Sequence, residues 1–227
     1  MKNIYFAIPI IAAFLVIIGM QAQKNFTTAE AEDGVSKMGK TDEVIAKPDS
    51  GTKKILVAYY SHTGNTREIA NQIHKIVGGD IFEIQAVTTY PDDYEEVKKR
   101  ARQELDSGYK PALKTKINNI KSYDIIFIGY PIWWGTFAAP VKTFLSEYDF
   151  SGKTIVPFCT HGGSGLGRSI TDIAALCPHS TILDGLAVWG KNAKTAQNDV
   201  SAWVRRIKVK EYRFAPIKLS LIERKKL

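Results

Sequence analysis

The chain has 227 residues, of which 44% are hydrophobic and 24% charged, and only two are cysteines. This is the balance of an ordinary globular protein, and two cysteines are too few for a disulfide framework. Of the net charge of +8, residues 205–227 carry +7, nine basic groups against Glu211 and Glu223, so the body is nearly neutral and no nucleic-acid partner is expected.

The N-terminus has the pattern of a targeting segment. Lys2 precedes a run of 16 uncharged residues, Tyr5 to Met20, and the small Ala22 follows as a possible cleavage point. Such a run lies between the apolar core of a signal peptide and the length of a spanning helix. Residues 1–23 are therefore expected to be a signal peptide or a membrane anchor, so that the protein is exported (periplasmic or secreted) or held at the inner membrane. Residues 24–53 lack apolar periodicity and read as a linker. Residues 209–227 form a basic tail.

Between residues 54 and 208, short apolar runs alternate with segments of helical period, which predicts an α/β fold with a parallel sheet. Five strands are expected: Ile55 to Tyr60, Ile81 to Gln85, Ile125 to Tyr130, Thr154 to Thr160, and Thr181 to Val188 with a break near Gly185. The first helix carries Ile69, Ile73, Ile76 and Val77 on one stripe and stops at Gly78-Gly79. The second, Asp92 to Asp106, is expected to turn Tyr94, Val97, Ala101 and Leu105 inward and to pair Glu95 with Lys99 and Glu96 with Arg100 outside. The third opens at Pro140 and buries Val141, Phe144 and Leu145. The fourth, Leu166 to Leu176, buries Ile170, Ile173 and Ala174, and the last, Thr195 to Ile207, repeats Val200, Trp203, Val204 and Ile207. Cys159 and Cys177 fall at opposite ends of a strand–helix unit, so no disulfide between them is expected.

In such a sheet ligands bind beyond the carboxyl ends of the strands, where strand order reverses. Three unusual loops are due at that edge. In "SHTGNT", Ser61, Thr63 and Thr66 offer hydroxyls and Gly64 lets the backbone turn ahead of a helix N-terminus, which suits a phosphate monoester. The same residues also suit a simple helix cap. In "PIWWGTFAAP", two adjacent tryptophans after a buried strand tend toward opposite faces, so one indole is expected at the sheet edge, where it can stack on a flat ring. In "THGGSGLGRS", four glycines between Gly162 and Gly167 let backbone amides and carbonyls reach a ligand's polar edge. A phosphate cradle, an aromatic platform and a backbone edge reader together match a mononucleotide with a large planar heterocycle.

With these motifs in place, the chain resembles the flavodoxins. "SHTGNT" fits that family's [ST]-x-T-G-x-T phosphate loop, and "YPIWWGTFAAPVKTFL" and "PFCTHGGSGLGRS" are similar in position and spacing to its two flavin-contacting loops. The tryptophan pair resembles a bacterial subgroup containing "WWG". The resemblance implies a flavodoxin-like, doubly wound five-stranded parallel sheet of order 2-1-3-4-5 with helices on both faces, an order that comes from the family and not from these residues. It implies FMN as cofactor. Ser61, His62, Thr63, Gly64, Asn65 and Thr66 would lie at the phosphate; Pro131, Ile132, Trp133, Trp134 and Gly135 at one side of the flavin; and Thr160, His161, Gly162, Gly163, Ser164 and Gly165 at its other edge.

The function expected on this basis is electron transfer by non-covalently bound FMN between redox partner proteins, a reductase or an acceptor, with the membrane reached through the N-terminal segment. No catalytic residue and no metal ligand is named for such a carrier. Two other readings stay open: an FMN-dependent NAD(P)H:quinone-type oxidoreductase, and a flavin-free binding module on the same fold. Flavodoxins are typically acidic and cytoplasmic, whereas this body is nearly neutral and follows an export-like segment.

Overall fold

The computed structural model describes residues 53–207. Residues 1–23, most of the linker and the basic tail lie outside the described residues. Chain order is β1 (Ile55–Tyr59), α1 (Asn65–Val77), β2 (Asp80–Glu83), α2 (Tyr94–Ser107), β3 (Ile125–Trp133), β4 (Thr136–Phe137), α3 (Ala139–Glu147), β5 (Thr154–His161), α4 (Ser169–Leu176), β6 (Thr181–Ile182), β7 (Leu186–Trp189) and α5 (Gln197–Arg206). Short 3-10 turns span Ile120–Ser122 and Gly190–Thr195.

The sheet runs β2-β1-β3-β5-β6, all parallel, and β7 also pairs with β5. Because β6 and β7 are two halves of one strand position, interrupted at Leu183–Gly185, the order is the expected 2-1-3-4-5. β1, β3 and β5 are central, and their continuous apolar sequence follows from that place. Alternate side chains of each strand must enter opposite cores. Ile55, Val57 and Tyr59 pack with Ile69, Ile73, Val200 and Trp203, the face covered by α1 and α5. Leu56, Ala58 and Tyr60 pack with Val97, Phe144 and Ile173, the face covered by α2, α3 and α4. Ile125, Ile126, Phe127 and Ile128 of β3 are fully buried, each burial contributing roughly 1.5–3 kcal/mol.

The helices differ from their expected faces in instructive places. Tyr94 is 74% exposed, whereas Glu104 is only 7% exposed, with its carboxylate held by Arg100 Nε at 2.9 Å and by the Tyr90 hydroxyl at 2.6 Å. Arg100 also sits over the Tyr90 ring at 4.1 Å. The pairs on α2 are Lys98–Glu95, Arg100–Glu104 and Arg102–Asp106, not the two expected. Ile76 of α1 and Ala174 of α4 face solvent. α3 buries its three expected residues behind Pro140, and α5 buries Val200, Trp203 and Val204. Cys159 and Cys177 are free and buried. Among the described residues, no helix is long and apolar enough to cross a membrane.

Candidate functional site

The parallel register brings the carboxyl ends of β3, β5 and β7 to one edge, where Pro131 lies beside Thr160, Thr160 beside Val188, and His161 beside Trp189. A cleft of about 990 Å³ opens there. It is lined by His62, Thr63 and Asn65 from the first loop, and by Pro131, Ile132, Trp133 and Trp134 from the second. Thr160, His161, Gly162, Gly163 and Ser164 supply the third wall. The three loops singled out in the sequence therefore meet around one space.

The first loop is built as a cradle around an uncapped helix. Ser61 Oγ accepts the Gly64 N–H at 3.1 Å, which closes the turn, and Gly64 takes φ 90°. No side chain caps α1, so the first-turn N–H groups that lack intrahelical partners point toward the cleft end of the helix. Thr63 is exposed. Thr66 is only 1% exposed, and its hydroxyl is engaged with that of Thr160 at 2.8 Å beneath the cleft. Ser61, Gly64 and Thr66 thus shape the loop from behind, while Thr63 and Asn65 face the space.

The tryptophans separate as their adjacency requires. Trp133 packs edge-on against Tyr60, His62 and Tyr90, with ring centroids at 5.9, 5.9 and 4.9 Å. Trp134 is 44% exposed. It occupies the first central position of a two-residue turn between β3 and β4, with Trp134 at φ 52° and Gly135 at φ 81°. Positive φ at both positions is the type I′ hairpin geometry. Holding an aromatic residue there costs on the order of 1–3 kcal/mol. Two contacts offset that strain: the Trp134 indole N–H donates to Lys98 O at 2.9 Å, and the Arg102 guanidinium lies 5.3 Å above the ring. The hairpin is further tied to α4 by the Thr136 hydroxyl, which donates to Asp172.

The glycine loop is held from below. His161 Nδ1 accepts the Gly163 N–H at 2.9 Å, and partial burial pushes the imidazole below its ordinary pKa, so the neutral acceptor form is favoured. The Cys159 thiol donates to Gly165 O at 3.6 Å, and burial pushes its pKa up to about 12, which keeps it protonated. Ser169, fully buried, donates to Leu166 O at 2.6 Å and meets the Tyr130 hydroxyl at 3.0 Å. Gly165 and Gly135 stand behind the lining, not in it.

Sequence reasoning missed the fourth and fifth contributors. Trp189, Gly190 and Lys191 at the end of β7 line the cleft, as do Asp92, Val97 and Lys98 at α2. Trp189 is 44% exposed, lies 5.5 Å from the His161 ring, and carries Lys191 Nζ 4.7 Å above its own ring. Gly190 backs directly onto Asn65, whose Nδ2 would stand 2.9 Å from an added Cβ. The signal was present: "VWG" ends the fifth strand as "WWG" ends the third, at the same sheet edge. Among the described residues, no group of three or more His, Cys, Asp and Glu could hold a metal ion.

The cleft fits a flavin mononucleotide in its parts: unpaired helix-terminal amides for an anion, aromatic walls, and glycine-rich backbone at the opposite edge. A family description, Flavodoxin, matches residues 54–207. A protein of Bacteroides eggerthii assigned as a flavoprotein is 36% identical, its structure covering 69% of this chain and 98% of its own with a TM-score of 0.61. A second, of Bacteroides uniformis, is 31% identical, covering 68% and 99% with a TM-score of 0.62. The flavoprotein of Lactobacillus acidophilus, solved in complex with FMN, shares the fold at 23% identity, covering 63% of this chain and 97% of its own with a TM-score of 0.53. Comparison with curated proteins gave no significant match. The chain belongs to the flavodoxin family.

Proposed function

We propose that this chain binds FMN non-covalently in the cleft and works as an electron carrier between redox partner proteins. The observation that carries the reading is the meeting of an uncapped helix start, two indole-bearing loops and a glycine loop around one space of about 990 Å³. FMN supplies the redox chemistry when bound. The chain's residues bind and orient it. The α1 terminus and Thr63 receive the phosphate, and Trp133, held rigid by Tyr60 and Tyr90, supplies an aromatic wall. The 161–164 backbone reaches the ring edge, and Trp134 and Trp189 limit water at the mouth.

A carrier needs no general acid or base, and the two cleft histidines are already engaged. His62 packs against Tyr90 and Trp133, and His161 Nδ1 is occupied by Gly163. The export or anchoring expected of residues 1–23 belongs to the same proposal, and fractionation of the native host tests it.

The test is a titration of the purified chain with FMN and with riboflavin. Wild type should take up FMN with a change in flavin absorbance, and Thr63→Ala should weaken FMN far more than riboflavin. Equal loss for both ligands would contradict the phosphate assignment. Absence of steady-state NADPH oxidation with a quinone, together with rapid reduction by a partner reductase, is the carrier's signature; sustained turnover with NADPH and quinone refutes it.

A further inference from the structure

Behind Trp133, on the side away from the first loop, the structure holds a second cavity of about 290 Å³ between α2, β4, α3 and α4. It shares only Trp133 and Ala101 with the cleft. Its walls are apolar and low, with Ala101, Phe137, Ala139 and Ala175 among them, so the space exists because small residues face one another across it. At this volume it falls at the small end of the range for ligand pockets, roughly 300–1,000 Å³.

Its charges are unequal. Glu104 is matched by Arg100 and the Tyr90 hydroxyl, and Asp172 by Arg168 at 3.1 Å and by Thr136. Lys142 takes part in no ion pair among the described residues; its Nζ donates to Gly108 O at 3.2 Å. An ammonium has three N–H donors, so the cavity carries one half-buried cation whose charge no neighbouring carboxylate meets. A single cation beside apolar walls selects a monoanion, because a dianion would bring a second charge into the apolar space without a partner.

We propose that this cavity binds a small apolar monocarboxylate, with the hydrocarbon body against Trp133, Phe137 and the alanines and the carboxylate on Lys142 Nζ. The site is separate from the flavin cleft and does not depend on it. Trp133, as the shared wall, reports its occupancy.

The test uses the full chain with 1-naphthoate and its uncharged counterpart 1-naphthamide, followed by titration calorimetry and by the Trp133 indole resonance. 1-Naphthoate should bind and shift that resonance. Lys142→Met should weaken 1-naphthoate about tenfold, the scale of one charge-assisted hydrogen bond, and leave 1-naphthamide unchanged. Ala175→Phe, at the exposed rim of the cavity on α4, should abolish binding of both probes by closing over the space. Saturating FMN should displace neither. The proposal is overturned if 1-naphthoate does not bind at millimolar concentration, if Lys142→Met affects both probes alike, if Ala175→Phe leaves binding intact, or if FMN displaces the probes and so places them in the cleft.

Discussion

Replacing Gly167 by alanine tests whether the tryptophan hairpin and the glycine loop are locked to each other. Gly167 sits at φ 53°, and a Cβ there would stand 2.2 Å from Gly135 O and 2.9 Å from its carbonyl carbon, both backbone atoms of the hairpin turn. A left-handed non-glycine residue costs roughly 1–2 kcal/mol. The clash adds to this, because the hairpin must retreat by about 1 Å to restore van der Waals contact, and the Arg168 N–H, which donates to Gly135 O at 2.8 Å, loses its partner at about 1 kcal/mol. The expected destabilisation is about 3 kcal/mol. Gly165→Ala is the control: Gly165 has φ 60° but nothing within 4 Å of an added Cβ, so only the left-handed penalty of about 1–2 kcal/mol applies. Urea unfolding of both FMN-free variants gives the difference, and FMN titration reads the consequence in the cleft. Equal destabilisation by the two substitutions would refute the locking argument, since the close approach would then contribute nothing.

Tyr90→Phe removes the hydroxyl that donates to Glu104 at 2.6 Å and leaves a carboxylate only 7% exposed with Arg100 alone. A loss of about 1–3 kcal/mol in unfolding free energy is expected; a loss under about 0.5 kcal/mol would show that Arg100 suffices. For His161, burial holds the imidazole pKa below 6.5, so between the lowered folded value and 6.5 the unfolded chain binds more protons. The stabilisation is complete above 6.5 and is lost as pH falls through the folded pKa. Wild type should therefore lose stability from pH 8 to pH 5 more steeply than His161→Gln, and parallel curves would remove His161 from the account. Trp189→Ala should weaken FMN about three- to tenfold, the scale of one aromatic pair, while changing apo-protein stability by less than about 1 kcal/mol because the ring is 44% exposed. An unchanged FMN affinity would mean that Trp189 only packs on His161.

The parts of the fold that sequence reveals are those where one physical rule acts alone. β1, β3 and β5 are apolar throughout because helices cover both faces, so their existence and place are readable. On α2 periodicity fails, because a buried carboxylate is invisible to it unless its partners are known: Arg100 is four residues away, but Tyr90 comes from the preceding loop. The β3–β4 hairpin was missed for a related reason. Its turn usually announces itself with Asn-Gly or Asp-Gly, whereas here the first position is Trp134, held at positive φ by tertiary contacts with Lys98 and Arg102. Trp189 was missed although the fifth strand is expected to end one residue before it, at Val188: ligand contacts are expected only of the loops after the first, third and fourth strands, whereas β7 pairs with β5 and carries Trp189 to the same edge.

The loops at the sheet edge are fastened to one another. Thr66 meets Thr160, Asn65 backs on Gly190, Gly167 backs on Gly135, and Cys159 reaches Gly165 O. The first three links join segments far apart in sequence, and none of the four needs a ligand to form it. A cleft assembled this way is organised before binding, and binding then has less ordering entropy to overcome. It also explains why glycine and small hydroxyl residues crowd these three loops beyond what contact with a ligand requires. At Gly167 the small residue faces another loop and not the cleft, so part of what reads in sequence as a ligand-binding signature is the fit between loops.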